Sequence, residues 1–245
     1  MAQSAGHWRG QGRHQEECGR RQSEQQRHAA RRRYLAVVVE LLPAPADRIW
    51  EKHQLRWKLK ARIVRYADDF VVLCAGAVDA PLDAVRHVLE RLDLTLNETK
   101  TRIVDARQES FNFLGFAIRV SKSWESGKSF THICPAPKSL VKIKERITQL
   151  TARERTPVLL EDIVGSMNAS LRGWANYFHY RNSSSVLEKV KAHAEDRLRT
   201  HLMERHKVKD RGAGFGRFPN QQLYTRYGLY KVPTSAGWKT AHALA

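Results

Sequence analysis

Residues 61–74, ARIVRYADDFVVLC, place Asp68 and Asp69 side by side between two apolar runs. Paired carboxylates repel each other and resist burial, so they need a cation, a turn open to water, or both. A tight turn between two strands would project them from the sheet as hard oxygen ligands. Mg²⁺ takes a few such carboxylates and leaves positions for substrate phosphates. Two ions of this kind clamp the attacking and leaving oxygens of phosphoryl transfer. For the dipeptide alone, an exposed and solvated Asp-Asp turn is the simpler reading.

The elements around the pair must decide between these readings. ARIVRYA and FVVLCAG are rich in Val, Ile, Phe and Tyr and are split by the two aspartates, which predicts a hairpin. YLAVVVELL, before it, fits a strand or a short helix, interrupted by Pro43 and Pro45. DRIWEKHQLRWKL predicts a helix capped by Asp47, with Ile49, Trp50 and His53 on one side. DAPLDAVRHVLERL carries Leu82, Val85, Leu89 and Leu92 at helical spacing, with Asp79 as cap and Pro81 in the first turn. LTLN, TRIVDA and FNFLGFAIRV predict further strands. The order strand–turn–strand–helix–strand is an α+β arrangement with its acidic turn at one end of the sheet.

From Pro137 the pattern is helical. Leu140, Ile143, Ile147 and Leu150 form one stripe, with Lys142, Lys144 and Arg146 on the other side. Ile163, Met167, Leu171, Trp174 and Phe178 form a second, and Leu187, Val190, Ala194, Leu198 and Leu202 a third. Ser185 and Glu188 have capping-box spacing at the start of the third helix. Three such helices predict a small bundle whose outer faces carry Lys142, Lys144, Arg146, Arg153, Arg172, Lys189, Arg197 and Arg199. From Lys209 no period is evident, and no regular structure is expected.

Composition narrows the partner. The chain has 245 residues, a net charge of +18 and a pI near 10.2. That balance calls for a polyanion, either nucleic acid or an anionic membrane surface. Six Trp and seven Tyr among the basic residues favour nucleic acid, on whose bases rings stack. No run of eighteen apolar residues is present, so no membrane span is expected. Cys18, Cys74 and Cys134 are too scattered for a zinc pair or a disulfide framework, which suggests a reducing compartment, cytoplasmic in a bacterial-type cell. Residues 1–33 hold almost no aliphatic side chains and are expected to be disordered.

YADD between two apolar strands resembles the palm motif of reverse transcriptases. LTLNETKT (94–101) and FNFLGF (111–116) follow in the order and approximate spacing of that family's next two motifs. LRGWANYFHY (171–180) is similar to the maturase or thumb region of group II intron-encoded proteins. The chain thus resembles a group II intron reverse transcriptase/maturase over roughly Leu41 to Tyr230, with PADRIWEK similar to the helix before the catalytic hairpin. The resemblance implies a partial palm-type antiparallel sheet with helices, followed by a helical thumb/maturase bundle. It divides the chain into a disordered 1–33, the C-terminal half of a palm over 34–120, and a thumb/maturase-like RNA-binding region over 121–245.

By the same resemblance, Tyr66 lies near the incoming nucleotide and primer end. Asp68 and Asp69 are the catalytic metal ligands, with Mg²⁺ as cofactor. Lys100 is either a charge stabiliser or proton donor near the triphosphate, or a plain solvated lysine. Phe113, Leu114 and Gly115 match the primer grip. Gly115 would let a nucleic-acid backbone approach, while Phe113 is alternatively a core residue. Arg172, Asn176 and Tyr177 match the maturase signature and, with Lys142 and Arg146, would contact RNA; Trp174 is expected to be structural. The implied partners are intron RNA and a primer–template.

The family also needs a further aspartate from an earlier strand, a fingers region and a Gly-rich segment, and nothing before Leu41 matches them. The expectation is a fragment of an RNA-directed DNA polymerase tied to intron splicing and mobility. It would be inactive in polymerisation alone unless another chain or an oligomer supplies the missing half. The alternative is a non-catalytic, basic, maturase-like protein that assists intron folding.

Overall fold

The structure, a computed structural model, describes residues 34–40, 45–67, 69–94 and 101–235. The expectation for residues 1–33 and most of the strand expected at 94–97 lie outside the described residues, as do Asp68 and Lys100. The chain is α+β, with small antiparallel sheets and several helices, and it divides into two compact units that meet between Glu109 and Ser110. No helix among the described residues is long and apolar enough to cross a membrane.

In the first unit, β1 (Tyr34–Glu40) is followed by helices α1 (Pro45–Lys52) and α2 (Leu55–Lys58). Then come β2 (Ala61–Tyr66), β3 (Asp69–Ala75), helix α3 (Asp79–Glu90) and β4 (Arg102–Asp105). The sheet order is β2-β3-β1-β4, all antiparallel. YLAVVVE is therefore a strand, and an interior one. Period-two alternation turns Phe70, Val72 and Cys74 to one face, where they pack with Trp50, Val85, Val88 and Leu89. Trp50 also donates its indole N–H to the Ala61 carbonyl at 3.3 Å.

Three expectations are corrected here. The helix expected over 47–59 breaks at Gln54, whose φ of 52° is left-handed and ends the first helix. His53 is consequently exposed, and only Trp50 of the expected trio is fully buried. Asp79 is the first helical residue of α3 and not its cap, which is Val78. Its carboxylate still sits favourably in the first turn of the helix dipole.

In the second unit, β5 (Phe111–Phe113), β6 (Phe116–Lys122) and β7 (Ser129–Pro135) form a three-stranded antiparallel sheet. FNFLGFAIRV is thus two strands and a turn, and β7 was not expected. Helices α4 (Pro137–Leu150), α5 (Leu160–Phe178) and α6 (Ser184–Arg205) follow and, apart from Phe178, which packs on Phe116, their expected stripes form one core. Ile147, Ile163, Met167, Leu171, Leu187, Leu198 and Leu202 in it are fully buried.

The capping-box reading fails because α6 begins at Ser184 with Ser183 at its cap position, which puts Ser185 inside the first turn. The Ser183 hydroxyl donates instead to the Tyr180 carbonyl. The tail also has structure, in helices α7 (Arg211–Arg217) and α8 (Asn220–Thr225). Asp210 caps α7 by accepting from the Ala213 N–H at 2.6 Å, and Phe218 beyond it is buried.

Candidate nucleic-acid interface

The register of β2 and β3 sets Tyr66 opposite Asp69, so two residues, Ala67 and Asp68, make the link. Such links match strand twist when their residues take positive φ, and Ala67 does so at 50°. The Arg65 guanidinium donates to the Ala67 carbonyl at 3.2 Å and steadies the turn. Tyr66 is 65 % exposed and Asp69 is exposed at the first position of β3. Directly opposed residues share a face, so the tyrosine ring and the carboxylate emerge together at the sheet end. Asp69 is also paired in register with Glu40 of β1, an acidic residue the motif reading did not single out. Only the sheet pairing reveals it, since 29 positions of sequence separate the two. Among the described residues no three His, Cys, Asp or Glu side chains gather as a metal-holding group.

The turn between β5 and β6 has the same two-residue length, with Phe113 opposite Phe116. Leu114 and Gly115 both have positive φ, 51° and 77°. A Cβ on Gly115 would lie 3.2 Å from both the Phe178 ring and the Ser139 hydroxyl oxygen. The Gly115 carbonyl accepts from the Ala136 N–H at 2.8 Å and from the Ser139 hydroxyl at 2.9 Å. The close approach that Gly115 permits is therefore made by this chain's own helices.

The maturase-like motif closes on this turn. The Tyr177 hydroxyl donates to the Leu114 carbonyl at 3.0 Å, and Tyr177 and Phe178 flank Phe116 with centroids 5.7 and 5.0 Å away. Trp174 is structural, as expected: it stacks against Phe178 at 4.7 Å and its indole N–H donates to the Ser139 carbonyl at 3.3 Å. Arg172 and Asn176 are exposed one helical turn apart on α5, and the Arg172 guanidinium lies over the Tyr230 ring at 5.3 Å. Asn168, two turns before Asn176, clamps the tail by donating to the Gly228 carbonyl and accepting from the Tyr230 N–H. Sequence reasoning missed Asn168 and Tyr230 because both act across about sixty positions.

The basic residues divide into two groups. Lys142, Arg146, Arg153 and Lys189 are exposed as expected, and Lys144 is half-buried. Arg199 is only 3 % exposed, which corrects its placement on an outer face. It donates to the Phe218 carbonyl at 3.1 Å, pairs with Asp196 at 2.8 Å, and bonds the Asn220 side chain. Arg197 is half-buried and donates to both oxygens of Thr151 at 3.1 Å, joining α6 to the end of α4.

Comparison with known proteins finds two family matches in order along the chain. Residues 38–118 match the reverse transcriptase (RNA-dependent DNA polymerase) family, and residues 140–217 match the group II intron, maturase-specific domain. Over 139 residues the chain is 25 % identical to a protein of Schizosaccharomyces pombe described as an "uncharacterized 91 kDa protein in cob intron". That match takes in 49 % of this chain and 17 % of the relative, so the chain corresponds to a small part of that protein.

Proposed function

We propose that this chain, which belongs to the group II intron reverse transcriptase/maturase family, grips folded intron RNA through its second unit. The observation that carries this reading is the division of labour on α4–α6. Their apolar stripes are consumed by one core, which leaves Lys142, Arg146, Arg172 and Lys189 facing water within or beside the maturase-matched segment. Folded RNA is recognised mainly by shape and phosphate contacts, which a rigid array of cations supplies. Asn176, exposed one turn from Arg172, adds a donor and an acceptor for base edges or 2′-hydroxyls. The test is a titration of the full chain against structured intron RNA at several salt concentrations. Affinity should fall steeply, with a log–log slope on the order of −0.7 to −0.9 per phosphate contact. Binding that is weak and independent of salt would overturn the reading.

A second role rests on the exposed end of the β2–β3 hairpin. The exposed carboxylate of Asp69 suits the hard-ligand preference of Mg²⁺, and Asp69 with Asp68, its neighbour in sequence, would hold the ion. The ion, when bound, neutralises charge on phosphates during phosphoryl transfer. Tyr66, opposite Asp69, would orient the primer end or incoming nucleotide, and Lys100 would stabilise triphosphate charge. If the chain takes part in RNA-templated DNA synthesis, alone or completed by another chain or copy, then Asp69→Asn abolishes Mg²⁺-dependent primer extension. Extension that survives this substitution would remove the hairpin from the reaction.

A further inference from the structure

The β6–β7 hairpin of the second unit plays no part in either role above. Its turn, Ser123–Lys128, is closed by hydrogen bonds from the Ser123 N–H to the Lys128 carbonyl and from the Gly127 N–H to the Ser123 carbonyl, both 2.8 Å. The Ser123 hydroxyl oxygen also accepts from the Ser126 N–H at 3.3 Å, and Gly127 takes the left-handed φ of 63° that this closure needs. Trp124 stands on this built turn and is 95 % exposed. Tryptophan is highly buried on average, so one left almost wholly in water on a well-bonded turn lacks its partner.

The strands below the turn continue the pattern. Register pairs Ser121 with Phe130 and Arg119 with His132, which sets all four on one face. Phe130 is 40 % exposed, and its ring lies 6.4 Å from that of His132. Burial and the neighbouring Arg119 charge both push the His132 pKa down, so its ring is neutral at pH 7. Arg119 on this face and Lys128 in the turn are exposed beside these rings, Lys122 pairs with Ser129 on the opposite face, and Glu125 is the one acidic residue of the turn.

We propose that this hairpin is a binding site for single-stranded nucleic acid, in which Trp124 and Phe130 stack on bases while Arg119 and Lys128 meet the phosphates. Rings interleaved with cations on an open strand surface suit an unpaired strand, because every base has a stacking face and every linkage a charge. A duplex keeps its bases stacked on one another and offers neither ring a surface, so this site differs in ligand from the helical face that grips folded RNA. The inference rests on the nucleic-acid reading above but uses different residues.

The test is fluorescence anisotropy with the full chain and 5′-labelled twelve-nucleotide oligo(U) and oligo(dT). Both oligomers should bind, since stacking and phosphate contact are common to RNA and DNA. Trp124→Ala should weaken binding of each about 5- to 100-fold, the range for loss of one base–aromatic stack, while Trp124→Phe keeps most of the affinity. The salt slope should be unchanged in Trp124→Ala and flattened by about 0.7 per cation lost in Arg119→Ala/Lys128→Ala. Binding of structured intron RNA should be little altered by Trp124→Ala, and Arg172→Ala should weaken it while sparing the oligomers. Wild-type affinity for oligomers in Trp124→Ala/Phe130→Ala would overturn the proposal. So would binding to anionic phosphatidylserine vesicles that is lost in Trp124→Ala while oligomer affinity stays intact. Structured RNA that binds while oligomers do not would overturn this site alone; failure of both would remove the nucleic-acid reading as well.

Discussion

The Tyr177 hydroxyl donates a 3.0 Å hydrogen bond to the carbonyl of Leu114, joining two motifs sixty-three positions apart. FNFLGF and LRGWANYFHY look like separate nucleic-acid contacts in the sequence. In the fold they are two sides of one packing site, where Phe178 rests on Gly115 and Tyr177 ties down the adjacent peptide.

Gly115→Ala should therefore destabilise the second unit. The left-handed φ and the two 3.2 Å approaches leave a methyl nowhere to go, which predicts a loss of about 1–3 kcal/mol. Tyr177→Phe removes one partly exposed hydrogen bond and should cost only about 0.5–1 kcal/mol. Urea unfolding of both variants checks this order, and an Ala variant as stable as wild type would refute the packing role.

The two classes of arginine should separate cleanly. Arg199→Ala strands the buried Phe218 carbonyl and removes a charged hydrogen-bond network, for an expected loss of about 2–3 kcal/mol. Arg172→Ala should leave the unfolding midpoint nearly unchanged and reduce the RNA salt slope by about one unit. Paired measurements of stability and binding on each variant decide the assignment.

Acid should weaken the second unit. His201 is fully buried, and neither ring nitrogen has a hydrogen-bond partner. Burial pushes its pKa down, and burial lowers His132 and His193 as well. With folded-state values below the ordinary 6.5, the unfolded chain takes up protons first as pH falls. Stability should be complete above about pH 6.5 and decline progressively below it. Urea midpoints between pH 7.5 and 5 test the slope, and His201→Leu should flatten it.

At the β2–β3 turn, Ala67 pays a steric penalty for its φ of 50°. Ala67→Gly relieves that penalty against a larger entropy loss, for a net gain of about 0–1 kcal/mol. Ala67→Val should destabilise. If both substitutions act alike in thermal unfolding, the left-handed turn is not the governing feature.

Much of this molecule is local and therefore legible in its residues. The apolar spacing of Ile143, Met167 and Leu198 reports which side of each helix is buried, because a period of 3.6 residues is a property of the segment itself. The two β-rich runs around Ala67 and Asp68 likewise announce a hairpin without outside help. What the period cannot report is a partner far along the chain. Arg199 reads as a surface cation on its helix, yet Phe218 and Asn220 fold back over it and make it a buried clamp. Tyr34–Glu40 suits a strand or a helix, and its interior place in the sheet is set by pairing with β3 and β4. The tail helices escape notice because a seven-residue segment with three glycines has little propensity of its own, and the Asp210 cap, the burial of Phe218 and Leu223 and the Arg199 clamp hold them. Local chemistry determined the elements and the acidic turn; long-range packing decided which basic residues face water and which hold the fold together.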